Sequence, residues 1–417
     1  MYYRKTILDK GITVLSKYVP SVHSISLGFW FQVGSRDELE IEAGMSHFNE
    51  HMMFKGTPSV DAQQLSERFD RLGARQNAFT SKEATCYYAD FIDESLASIF
   101  ELMSDMVLNA SMQQEHCELE REVVIEEIAR SEDDPEDIAY ELFCKSLWPD
   151  HTLGLPVAGT RESVGSFGKE EARAFHDKHY HAQNCTIIAA GNVDHDELVA
   201  LANTFLSTMP TSSQGNESAR FAPTSSESGQ FNYQKDTEQA HLFLGGQSIS
   251  MRDDRRYAFN MANFVLGGSM SSRLFQEVRE KLGLVYSVYS HLSPYVDAGF
   301  FAVYAGTRPD NVEKVVEVIY RELDKFAQGD ISEDDRSLAL NAIKGSLALN
   351  LESTSQRMRN LGMSYLARKD AQSYEETIAR YESVTLEMMH EAAQDIAQSD
   401  KVLALVGDFA PDYRIGE

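Results

Sequence analysis

Two short landmarks recur in this 417-residue chain at one fixed distance. Arg36-Asp37-Glu38 returns as Arg252-Asp253-Asp254, and the apolar run Thr186-Ile187-Ile188-Ala189-Ala190-Gly191 returns as Val402-Leu403-Ala404-Leu405-Val406-Gly407. Both offsets are 216 (252 − 36 and 407 − 191). Equal offsets at distant points predict a duplicated domain. Between the copies lie two runs of linker composition, Thr211-Ser212-Ser213-Gln214-Gly215-Asn216 and Thr224-Ser225-Ser226-Glu227-Ser228-Gly229. The expected division is therefore residues 1–210, a linker over 211–238, and a second copy over 239–417.

Within a copy, residues 24–31 and 86–91 are rich in aromatics and alternate, which predicts strands. Residues 96–108, 169–179 and 194–206 have helical period. Segregated strands and helices predict an α+β fold, each copy a mixed or antiparallel sheet with helices packed on one face.

The stretch that carries chemistry is His47-Phe48-Asn49-Glu50-His51. On a helix, residues four apart stack on one face, so both imidazoles can reach one ion. The order H-x-x-E-H inverts the H-E-x-x-H zinc motif, and Glu50 falls where a general base for a water would stand. A plain pair of satisfied histidines is the alternative. Against it, Met45, Phe48, Met52 and Phe54 mark the helix as buried on at least one side, where ionisable groups need a partner. Carrying the 216 offset to this motif places Asn263-Phe264 and Leu266-Gly267 opposite it. The second copy keeps the helix and lacks the ligands.

Zinc catalysis uses three protein ligands and one open position. Residues 115–130 contain neither Gly nor Pro and read as one helix with an apolar stripe of Cys117, Val124, Ile125 and Ile128. Glu120 and Glu127 border the stripe, two turns apart on nearly one side, whereas Glu122 and Glu126 point away. A merely acidic surface helix remains the alternative for these two carboxylates taken alone.

These residues resemble the pitrilysin/insulysin family of inverted-motif zinc peptidases, in the short bacterial form similar to mitochondrial processing peptidase subunits. In that family H-x-x-E-H is followed by a glutamate ligand within an E-[RK]-x-V-[VI]-x-x-E segment. Glu120-Arg121-Glu122-Val123-Val124-Ile125-Glu126-Glu127 matches it position for position, 76 residues after His51 (127 − 51). The resemblance implies His47, His51 and Glu127 as ligands of one zinc ion per chain, Glu50 as the base, and Glu120 as a carboxylate orienting a ligand histidine. A second match runs from Ser271 to Ser287 and implies that Arg279 and Tyr286 stabilise the substrate carbonyl and its developing charge. The segment Gly73 to Ser81 is similar to an exposed strand to which peptide adds, with Asn77 and Ala78 as backbone contacts. The implied fold has the two halves facing each other as part of a clam-shell chamber. The implied activity is endopeptidase action on oligopeptides, and the chain length implies a homodimer. A non-catalytic assembly subunit of the same family, or the active half of a heterodimer, is the rival reading; such subunits lose ligands or base, and here all are present.

The formal charge is −27 (38 − 65), which argues against nucleic-acid partners and raises the prospect of a negative field that attracts basic peptides. No apolar segment is long enough to span a bilayer. Cys86, Cys117, Cys144 and Cys185 are scattered without C-x-x-C pairing and read as reduced thiols of a cytoplasmic protein. His176, His179 and His181 cluster at an expected helix end and are read as cationic or capping residues, not as a second metal site. Leu266-Gly267-Gly268-Ser269 lacks the following G-K-[ST] of a phosphate loop.

Overall fold

The computed structural model describes residues 2–212, 220–224, 226–410 and 412–416. The chain forms two compact units. The first comprises residues 1–129, 155–220 and 349–371, and the second 130–154, 221–348 and 372–417.

The first unit is built on a mixed sheet. Its strands are β1 (Arg4–Ile7), β2 (Thr13–Tyr18), β3 (Ser24–Phe31), β4 (Arg75–Thr80), β5 (Thr85–Ile92) and β6 (Cys185–Gly191), in the order β1-β2-β6-β3-β5-β4. β2 and β6 run parallel and the other neighbours antiparallel. The period-two alternation sorts each strand's side chains between two faces. Ile25, Leu27, Phe29 and Phe31 of β3 join Tyr87, Ala89 and Phe91 of β5 in one core. That core is closed by α1 (Met45–Met53), α2 (Gln114–Asp133) and the helices Leu96–Leu108, Lys169–His179 and His195–Phe205.

The second unit repeats the plan. Its strands are β7 (Gly229–Gln234), β8 (Ala240–Gln247), β9 (Val285–Pro294), β10 (Gly299–Thr307) and β11 (Val402–Gly407), ordered β9-β10-β8-β11-β7. The single parallel pair, β7 with β11, stands where β2 and β6 stand in the first sheet. β3 and β8 begin 216 residues apart (240 − 24), the offset of the two sequence landmarks. This unit holds α3 (Pro135–Leu147) and α4 (Arg256–Gly267). α4 follows β8 as α1 follows β3, and carries Asn263, Phe264, Leu266 and Gly267 at the positions equivalent to the motif.

The expected boundaries need correction in three places. α3 belongs to the first half of the sequence, yet Ile138, Ala139, Phe143, Cys144 and Leu147 pack on Phe243, Phe300, Ala302, Val402, Ala404 and Val406 of the second sheet. In return α5 (Thr354–Arg368), from the second half, lays Met358, Leu361, Tyr365 and Leu366 on Leu15, Trp30, Cys86, Tyr88, Ile188 and Ala190 of the first. Each sheet therefore has helices on one face and a single borrowed helix on the other. A sheet with apolar residues on both faces must cover both, and each copy's second face is closed by the other copy's helix. The expected linker, 211–238, includes strand β7, because residues 229–234 pair with β11. Arg220, also in that stretch, is clamped by two bonds to the buried carboxylate of Asp37, at 2.7 and 2.6 Å. Ser213 to Asn216 and Ser225 of the linker runs lie outside the described residues.

Candidate metal centre

Met45, Phe48, Met52 and Met53 are buried, so α1 lies against the first core and turns His47, Glu50 and His51 to its other side. The helix enters through Gly44, whose backbone φ is +94°, a conformation glycine takes without strain. A Cβ there would also stand 2.5 Å from the Ala158 carbonyl oxygen. Gly44 offers no capping side chain. Glu38 replaces it, its carboxylate accepting the N–H groups of Gly44 at 2.7 Å and Ser46 at 2.6 Å. Burial pushes the Glu38 carboxyl up to about 7, against the pull of those hydrogen bonds.

Three ligand-type atoms converge between α1 and α2. Glu127 Oε2 lies 3.6 Å from Nε2 of His47 and 3.6 Å from Nε2 of His51. All three lie within 4.8 Å of one another. Distances of 3.6 Å are too long for hydrogen bonds, so the groups surround a space and do not bond each other. Tetrahedral zinc with bonds of about 2.0–2.1 Å places neighbouring ligand atoms roughly 3.4 Å apart, so two nitrogens and one carboxylate oxygen at this spacing fit that ion. Glu127 is half exposed, which leaves the centre an open side.

The surrounding charges set the protonation of each ligand. His47 is lowered to about 4, chiefly by burial and then by the His51 charge, which keeps its imidazole neutral and able to ligate. Burial also opposes charge on His51, but Glu120, Glu127 and Glu50 outweigh it and raise its pKa. Glu120 Oε2 stands 3.0 Å from His51 Nδ1. With Nδ1 donating to Glu120, the Nε2 lone pair faces Glu127 and the open space. Glu120 in turn holds the Lys55 ammonium at 2.5 Å. Burial works against the Glu120 charge, but the bonds from His51 and Lys55 prevail and lower its pKa. Glu50 is raised, mainly by burial, and accepts the Thr80 hydroxyl at 2.5 Å.

Thr80 ends β4, the edge of the first sheet among the described residues. Asn77 and Ala78 sit mid-strand, and the Ala78 N–H is taken by the Asn77 side chain at 2.8 Å. His47, Glu50, His51, Asn77, Ala78, Glu120 and Glu127 thus all belong to the first unit. Arg279 and Tyr286 belong to the second. There a wide-wound helical turn, Phe275–Lys281, stacks the Arg279 guanidinium 4.8 Å from the Phe275 ring centre and 5.7 Å from that of Tyr286. Tyr286 itself is 76% exposed. His176 bonds the Val107 carbonyl at 2.9 Å, and His181 bonds Gln183 at 3.1 Å. Sequence reasoning passed over Glu38, Lys55 and Thr80. Only Glu38 left a usable signal, an acid shortly before a helix that begins on glycine.

Comparison with known proteins follows the same division of the chain. Residues 13–161 match the family described as Insulinase (Peptidase family M16), and residues 166–343 match the Peptidase M16 inactive domain. A protein of Streptomyces coelicolor, named an uncharacterized zinc protease, is 38% identical over 97% of this chain and 89% of its own length. The chain belongs to peptidase family M16. A protease of Helicobacter pylori shares the fold at a TM-score of 0.90, with 22% identity over 97% of this chain and 99% of that one. The peptidase M16 inactive domain of Pseudomonas fluorescens superposes at 0.92, with 19% identity over the full length of both chains. An M16 half described as inactive corresponds here to the copy whose α4 has Asn, Phe, Leu and Gly at the motif positions.

Proposed function

We propose that this chain is a zinc-dependent endopeptidase of oligopeptides and small unfolded proteins, with one zinc per chain on His47, His51 and Glu127. The observation that carries the reading is the convergence of those three atoms beside a buried glutamate held by a threonine of the sheet's edge strand. Zinc at such a centre supplies Lewis acidity toward a water and a peptide carbonyl. Peptide lies along β4 by strand addition, its backbone meeting Asn77 and Ala78. Glu50, fixed by Thr80, takes the attacking water's proton and delivers it to the leaving amine. Arg279 and Tyr286 offer a cation and a phenol O–H to the developing negative charge.

The same reading makes the protein a cytoplasmic homodimer. No helix among the described residues is long and apolar enough to cross a membrane, and all four cysteines are unpaired and buried. Cleavage of a quenched basic peptide should stop with chelator and return with zinc, and the active species should elute with the mass of two chains. A metal-loaded chain that leaves every peptide intact would defeat the proposal.

Glu120→Gln should weaken zinc binding about 10–100-fold, because the amide cannot hold His51 in the same tautomer with the same charge. Competition against a chromogenic chelator reads this directly. Unchanged affinity would show that Glu120 is a bystander.

A further inference from the structure

The first sheet has an asymmetry that its metal centre does not use. Alternate residues of β4 face opposite sides. Thr80 reaches Glu50 on the α1 side, so Phe79 and Asn77 face the side covered by α5. From α5, Arg359 extends its guanidinium over Phe79, 5.1 Å from the ring centre, and over Tyr88, 4.7 Å away. It donates to the Tyr88 hydroxyl at 2.5 Å. Its Nε is buried without an acceptor, and no carboxylate of the described residues pairs with it. Asp90, the acid on this face of β5, is engaged by the Ser26 hydroxyl instead. A partly buried cation with one hydroxyl and two aromatic faces for company is short of an anion.

The position of that cation gives it a use. A peptide added to β4 places the side chain opposite Phe79 on the same face as Phe79, with Cβ atoms about 5 Å apart. A Glu or Asp at that position comes within reach of the Arg359 guanidinium, whose planar fork suits a carboxylate. We propose that Arg359 is a specificity-determining residue, binding a carboxylate side chain of peptide laid along β4. The inference rests on the reading of β4 as the peptide strand. It adds that a helix borrowed from the second half of the sequence chooses one residue of the substrate. The overall negative charge of the protein does not oppose this. Exposed charges farther away than about 8–10 Å are largely screened at physiological salt, and a direct contact is not. An otherwise basic peptide with one acidic residue satisfies both.

The test uses fluorescent twelve-residue peptides, rich in lysine, with one glutamate moved along the sequence and alanine as its control. Binding is read by anisotropy on zinc-loaded Glu50→Gln chains, and cleavage on the parent enzyme. One register of glutamate should bind about tenfold more tightly than alanine and lower KM to match. Arg359→Lys should keep part of the preference, and Arg359→Gln should abolish it. Arg359→Glu should reverse it in favour of lysine at the same register, a rescue that general loosening of α5 cannot produce. Binding and cleavage with no glutamate preference, or a preference that Arg359→Glu leaves intact, overturn this inference alone. Failure to bind or cut any peptide overturns the peptidase reading, and this inference with it.

Discussion

Replacing Glu50 with glutamine is expected to lower kcat by about 10²–10⁴-fold while leaving zinc binding and the fold in place. The argument rests on what the amide keeps and what it loses. Its carbonyl oxygen can still accept the Thr80 hydroxyl, the one side-chain bond that anchors Glu50. The residue lies among buried neighbours of α1, so removing its charge removes a desolvation cost and not a stabilising pair. The ligand atoms of His47, His51 and Glu127 are untouched. The amide has no basic oxygen to take a proton from water, and that step alone disappears. Stoichiometric zinc in the purified variant, an unchanged thermal midpoint and a collapsed kcat at similar KM would together assign the base. Near-normal turnover would remove Glu50 from the chemistry.

The site was largely legible because its parts lie close along two helices. His47, Glu50 and His51 share one helix face, and Glu120 and Glu127 share another, so helical spacing restricts which groups can converge. The duplication was legible for a related reason. Strands β3 and β8, at equal offsets, repeat a length and a pattern that short windows of sequence preserve. What remained hidden depends on partners distant in the chain. Nothing local to Thr80 names Glu50, and nothing local to Lys55 names Glu120, 65 residues later (120 − 55). Arg359 meets Phe79 and Tyr88 only because α5 crosses to the first sheet. An apolar stripe on a helix states that it will be buried and leaves open against which sheet. That is why a division at the linker was expected and the exchange of α3 and α5 was not.

The exchange predicts that residues 1–210, expressed alone, will not form a stable domain. That fragment keeps the strands and the metal helices, and by composition it resembles a complete unit. It lacks α5, so Leu15, Trp30 and Ile188, fully buried in the whole chain, lose their cover. Each large side chain returned to water costs about 1.5–3 kcal/mol, so these three alone cost roughly 5–9 kcal/mol, comparable with the whole stability of many domains. The fragment also carries α3, whose Ile138, Phe143 and Leu147 have no second sheet to cover. Exposed apolar surface on both elements favours aggregation. Co-expressing residues 1–210 with 211–417 should restore a soluble pair, since each piece supplies the helix the other needs. A point substitution isolates the same contact. Gly362 of α5 touches Trp30 so closely that an added Cβ would lie 2.5 Å from the indole ring. Neither the fully buried indole nor the backbone of α5 has room to yield, so Gly362→Leu should lower unfolding stability by about 1–3 kcal/mol, possible even with zinc bound. Thermal unfolding of the fragment, of the co-expressed pair and of the Gly362 variant decides the matter. A cooperative transition for residues 1–210 near that of the full chain would mean that the first sheet stands without the borrowed helix.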